Sequence, residues 1–114
     1  MSAKNLATVP LICRAHGLPE PLAEFQFHPP RRWRLDYAWE FFRLRLSGPM
    51  HHVQVALEVN GGVWNQGRHT RGAGFIRDMA KLNQAQLDGW IVLQCTPQQV
   101  ASGAIVPMLK EALK

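Results

Sequence analysis

Eight carboxylates occur in the 114 residues of this chain, so where each one falls is informative. Asp36 stands mid-way along an alternating segment, RRWRLDYAWE (31–40), among arginines, where strand propensity disfavours it. Glu58 stands near the end of HVQVALEV (52–59), the most regular apolar alternation in the chain, just before Asn60 and a Gly-Gly pair. A carboxylate late in a strand, followed by a loop, is where α/β sheets place functional groups. Both acids lie on the side opposite the large apolar residues of their segments, so neighbouring strands would bring them to one point. Two such oxygen donors, with the backbone carbonyl of Val59 and some waters, suit Mg²⁺ or Mn²⁺. A divalent ion in a field of arginines suits phosphodiester hydrolysis: the metal activates water and neutralises charge on the phosphate. Spacing alone also admits a plainer arrangement, with Asp36 paired to Arg32 or Arg34 and Glu58 facing solvent.

The loop after Glu58, NGGVWNQGRHTRGAG (60–74), is too Gly-rich for regular structure, and loops of this length in small domains commonly carry function. His69 sits in it between Arg68 and Arg71. It reads as a general base or a ligand of the scissile phosphate, or as a histidine that only bonds backbone. Arg68 and Arg71 would grip a phosphate backbone, and Arg34, beside Asp36, is set to join them. Trp64 would stack on a base or anchor the loop by packing. His51 and His52 are adjacent, point to opposite faces of a strand and make a poor metal pair. Trp33, Trp39 and Trp90 read as core.

Charge supports the same location. The formal net charge is +5 and the pI about 9.9. Residues 28–81 hold nine Lys and Arg against four Asp and Glu, while the rest of the chain is balanced. Eight of those nine are Arg, the better fork for phosphate oxygens. Hydrophobic residues make up 46% and charged residues 18%, which argues against disorder. Cys13 and Cys95 form neither a disulfide framework nor a cysteine zinc site, so a reducing cytoplasm is expected. No apolar run reaches the ~20 residues of a membrane span. The length predicts a single domain over 1–114.

The elements that must position these residues can be read in order. Residues 6–17 predict a short helix closed by Gly17. LAEFQF (22–27) is a helical turn or an extended piece. Strands are predicted over 31–40, with Trp33, Leu35, Tyr37 and Trp39 on one face, over 41–47, with Phe42, Leu44 and Leu46 on one face, and over 52–59. A helix over 75–89 presents Phe75, Met79 and Leu82, flanked by Ile76 and Leu87, as its apolar stripe. WIVLQCT (90–96) is a buried strand. Thr96 and Pro97 then start a helix that Pro107 kinks or splits. Three consecutive strands predict an antiparallel meander, and the crossover helix lays the last strand parallel to the third. The fold class is α/β, a mixed sheet with helices on both faces.

The strings FHPPRRWRLDYAW (27–39), VALEVNGGVW (55–64), GRHTRG (67–72) and DMAKLNQAQLDGWIVLQCTP (78–97) resemble small phage and prophage endonuclease-like proteins. These belong to the PD-(D/E)xK, or restriction-endonuclease-like, superfamily, which includes the very-short-patch-repair nuclease. The resemblance spans roughly residues 18–100. It implies an αβββαβ(α) core, in agreement with the element order above. It implies Asp36 as the first motif acid and Glu58 as the Glu of the Glu-x-Lys. The lysine position holds Asn60, a departure from the pattern. Lys81, on the helix after the loop, is the implied replacement, with Asp78 positioning it from three residues away; the plainer reading is a surface lysine paired with Asp78. The family's acid on its first helix falls to Glu20 or Glu24, and Glu24, which precedes the FxFHP stretch, matches better.

The expected activity is therefore that of an Mg²⁺- or Mn²⁺-dependent deoxyribonuclease in phage or prophage DNA processing, recombination or repair. Asp36, Glu58, the Val59 carbonyl and Glu24 would hold the metal; Asn60, Lys81 and His69 would serve catalysis; Arg34, Arg68, Arg71 and Trp64 would hold DNA. Phosphate contacts confer no sequence reading, so structure-selective or nonspecific action on duplex or branched DNA is expected. A homodimer would let so small a chain cut two strands, in the cytoplasm of a bacterial host and without a membrane partner. The alternatives are a catalytically weak or inactive nucleic-acid-binding module on a nuclease fold, and a structural protein with a basic surface.

Overall fold

The structure, a computed structural model, describes residues 8–44, 46–60 and 72–114. The chain opens with α1 (Thr8–Ala15). Gly17, at φ +69°, lets the chain leave the helix, with the Gly17 N–H on the Arg14 carbonyl and the Leu18 N–H on the Cys13 carbonyl. This pair of bonds satisfies carbonyls that a helix end leaves open. The strands β1 (Leu22–Gln26), β2 (Arg34–Arg43) and β3 (His51–Val59) follow. A long helix, α2 (Gly72–Leu87), crosses over to β4 (Trp90–Cys95), and α3 (Pro97–Ser102) and α4 (Ile105–Leu113) close the chain. The sheet order is β1-β2-β3-β4, antiparallel except for the parallel β3–β4 pair. The α/β class, the mixed sheet and the helix–three strands–helix–strand–helix order all match the sequence expectation.

The identity of the strands does not match throughout. The segments 31–40 and 41–47, expected as two strands, share one, β2. No turn residue separates Glu40 from Phe41, so pairing with β3 runs unbroken from Tyr37↔Leu57 to Arg43↔His51. The face begun by Trp39 continues through Phe41, which packs on the core, while Phe42, Leu44 and Leu46 are exposed. The missing strand is LAEFQ, an edge strand against β2. Its helix-favouring Leu, Ala and Glu are overridden by pairing with Ala38, Tyr37 and Leu35.

One sheet face carries the larger core. Val9 and Cys13 of α1, Val100 of α3 and Ile105, Leu109 and Leu113 of α4 pack on Tyr37, Trp39, Val53, Val55, Leu57 and Val59. Thr96 caps the start of α3 ahead of Pro97, as the Thr-Pro pair predicts, and Gln99 completes a capping box. The break between α3 and α4 falls at Gly103 (φ +80°), not at Pro107. Pro107 lies in the first turn of α4, where its lack of an N–H costs nothing. Arg43 ties β2 to the other end of α4, donating to the carbonyls of Ala112 (3.2 Å) and Lys114 (3.1 Å).

The opposite face is covered differently. Here Ala38, Ala56, Leu35 and Trp90 meet Ala85 of α2. Of the expected stripe, Phe75, Ile76, Met79 and Leu87 are exposed and Leu82 is half-buried. A helix that lies close to a sheet needs small residues at the contact, so α2 turns its Lys81–Ala85 side inward. Among the described residues, no helix is long and apolar enough to cross a membrane.

Candidate active site

The β2–β3 ladder ends at Tyr37↔Leu57, and the next opposed residues are Asp36 and Glu58. Beyond this point the carboxylates take over the backbone pairing. The Asp36 N–H donates to Glu58 Oε2 (2.7 Å), and the Val59 N–H donates to Asp36 Oδ2 (2.8 Å). Asp36 is 1% exposed and Glu58 3%, so the alternative in which Glu58 faces solvent is excluded. β2 and β3 are the two inner strands of the sheet, which is why both acids are covered. Charges so deeply buried need compensating partners.

α2 supplies one. Ala85 packs on Ala38 and Ala56, each two residues from an acid along its strand. Lys81 lies one turn before Ala85 and so shares its face. Its Nζ donates to Glu58 Oε1 (2.5 Å) and to the Arg34 carbonyl (2.9 Å), with the side chain 14% exposed. The pairing with Asp78 drawn from helix spacing gives way to Glu58; Asp78 is exposed. Lys81 is thus brought to the acids from the helix after the loop.

Among the described residues, two carboxylates meet one ammonium, that of Lys81 on Glu58. Burial raises the Glu58 pKa above the ordinary carboxyl value, and the neighbouring Asp36 raises it further; Lys81 and the Asp36 N–H pull the other way without cancelling this. A pair of hard oxygen donors with excess negative charge, next to the Val59 backbone, has the chemistry a small divalent cation requires. Among the described residues, no third Asp, Glu, His or Cys joins them. Two carboxylates suffice for Mg²⁺, which keeps several waters.

Other expected residues are placed elsewhere. Glu24 is not on a helix. It lies on β1, exposed, at φ +53°, between the paired Ala23↔Tyr37 and Phe25↔Leu35 positions, and it is not gathered with the two acids. Glu20 pairs with Arg14 at 2.6 Å. The Asn60 side chain donates to Gln94 Oε1 (2.6 Å) and its backbone N–H to the Cys95 carbonyl (2.7 Å), so it joins the ends of β3 and β4. Its side-chain amide N–H is directed at β4. Arg34 is exposed at the start of β2, two residues from Asp36. His69, Arg68, Arg71 and Trp64 lie outside the described residues.

Sequence reading missed the Arg34 carbonyl as the second acceptor of Lys81, a backbone role no side-chain pattern reveals. It also misplaced Trp33, which is only half-buried and stacks on Phe27, with the Arg31 guanidinium 3.8 Å above its ring. The alanines beside the two acids are the one signal that could have shown which side of α2 faces the sheet. Comparison with protein-family models, with curated proteins and with solved structures finds no match.

Proposed function

We propose that this chain is a metal-dependent deoxyribonuclease that hydrolyses phosphodiester bonds in duplex or branched DNA, with Asp36, Glu58 and Lys81 as its working group. The observation that carries this reading is the meeting of two buried carboxylates and a lysine where the two inner strands stop pairing. The resemblance to PD-(D/E)xK nucleases supports it from the sequence side, and so does the Arg-rich surround. Asp36, Glu58 and the Val59 carbonyl would hold Mg²⁺ or Mn²⁺. The ion supplies Lewis-acid stabilisation of phosphate charge and a more acidic water. Lys81, held by Glu58 and by Arg34, stands ready to donate to a phosphate oxygen or to orient the attacking water. Lys81 takes the role that the missing motif lysine leaves open. The proposed setting is phage or prophage DNA processing in a bacterial cytoplasm; a second copy would be needed to cut both strands at once.

The test is cleavage of plasmid and branched DNA with Mg²⁺ or Mn²⁺. Wild-type protein is expected to cut, Asp36→Asn and Glu58→Gln to be inactive, and Lys81→Met to lose about 10²–10³-fold in rate, as for removal of one transition-state donor. The second reading is a nucleic-acid-binding module without catalysis, favoured by Asn60 at the motif lysine position with its amide tied to Gln94. Wild-type protein that binds DNA yet cuts under neither metal would establish it and sink the nuclease reading.

A further inference from the structure

We infer that the β1–β2 connection, through Arg31, Arg32 and the platform beneath Arg31, is a clamp for the phosphate backbone of a DNA strand leading into the Asp36–Glu58–Lys81 group. The inference rests on the proposed nuclease reading for its partner. It does not need the chemistry to occur.

The connection is short and held at several points. Phe27 and Trp33 stack nearly parallel, 11° apart with centroids at 6.1 Å. The Arg31 guanidinium lies 3.8 Å over the Trp33 ring. The Arg31 N–H donates to the His28 carbonyl (2.9 Å), and its own carbonyl accepts from Gln26 Nε2 (2.6 Å). His28 Nδ1 meets Asp88 Oδ2 at 2.7 Å, which fastens the loop to the end of α2. An arginine stacked on an aromatic ring keeps its edge donors pointing outward and loses less rotamer freedom when it binds an anion.

Among the described residues, no ion pair compensates the arginine charge on this loop. Arg31, Arg32 and Arg34 are all exposed, and residues 25–35 contain no Asp or Glu. The acid that does reach the loop, Asp88, is engaged by His28 and Gln84. Three like charges within four residues repel one another, and a row of phosphates relieves that repulsion. The loop also abuts the site: the Arg34 carbonyl holds Lys81, and Asp36 follows two residues later. A strand gripped at Arg31 and Arg32 is thus held beside the strand end that bears Asp36.

The experiment is a salt titration of the binding of short labelled DNA, single-stranded and duplex, in EDTA so that no cleavage takes place. Arg31→Ala/Arg32→Ala is expected to weaken binding to both DNAs and to reduce the slope of log K against log salt by about 1 for each arginine removed. Trp33→Leu keeps every charge but removes the platform. It should weaken binding with nearly unchanged slope, and its melting temperature reports whether the fold survives. Lys110→Ala, on α4, is the control and should leave the slope unchanged. An unchanged slope in the double variant, or an equal fall in Lys110→Ala, overturns the clamp. If wild-type protein cuts DNA while the double variant keeps its slope, the clamp fails and the nuclease reading stands. If the slope falls as expected but no metal supports cutting, the clamp stands and the nuclease reading fails.

Discussion

At the scale of single residues, Glu58 is the most heavily constrained side chain. One oxygen accepts a backbone N–H and the other a lysine ammonium, yet burial and Asp36 still favour its neutral form. The consequence for stability has a definite sign. A carboxyl whose pKa is raised on folding binds its proton more tightly in the folded state. Its contribution is fully present below the ordinary value of 4.5 and is lost as pH rises through the elevated folded value. In metal-free protein, thermal melts from pH 4.5 upward should show wild type losing stability relative to Glu58→Gln. Parallel pH profiles for the two proteins would refute this. The buried thiols are a simpler case of the same effect: desolvation first, and a nearby carboxylate second, push Cys13 and Cys95 each up to about 11, which keeps them as unreactive thiols at neutral pH.

At the scale of elements, the site depends on how closely α2 approaches the sheet. Ala38, Ala56 and Ala85 form that contact, and Lys81 reaches Glu58 only because they are small. Ala85→Leu should overpack it, costing about 1–3 kcal/mol, and should lift Lys81 from Glu58. Chemical denaturation gives the cost, and the activity loss should approach that of Lys81→Met. A variant that is destabilised yet fully active would separate the packing from the site. The same contact explains what was legible beforehand. β3 declares itself by strict alternation of valine and leucine, and α3 by its Thr-Pro start. The positions of Asp36 and Glu58 on one sheet face follow from period-two counting alone. The inward side of α2 did not, because apolar size marks a helix's core face only where there is room for large side chains, and here the room is an alanine's width. β1 was ambiguous because five residues with helix-favouring composition become a strand only through a partner distant in sequence. The clamp loop was hidden for a related reason: Trp33 continues the alternation of β2 but lies before the strand begins.

At the scale of the whole molecule, a basic chain of 114 residues folds around two buried acids, and among the described residues one lysine, on Glu58, meets them. A domain of this size has a modest core and correspondingly small net stability, so a local imbalance of charge should be visible in global unfolding. A cation that binds the folded state and not the unfolded chain stabilises by mass action, by about 2.7 kcal/mol at a hundred times its dissociation constant. For a domain near 100 residues each kcal/mol moves the midpoint by roughly 4–8 °C. Mg²⁺ or Mn²⁺ at that concentration and neutral pH should therefore raise the melting temperature by roughly 10–20 °C, the product of those two figures. The shift should shrink as Glu58 takes up its proton on acidification, since proton and metal compete for the same oxygens. It should be absent in Asp36→Asn. Ca²⁺, which prefers more ligands than two carboxylates and a carbonyl provide, should give a smaller shift at equal concentration. Equal stabilisation of wild type and Asp36→Asn by all three ions would mean that the cations act on the surface at large, and the paired carboxylates would then have to be explained as a structural plug at the point where the inner strands part.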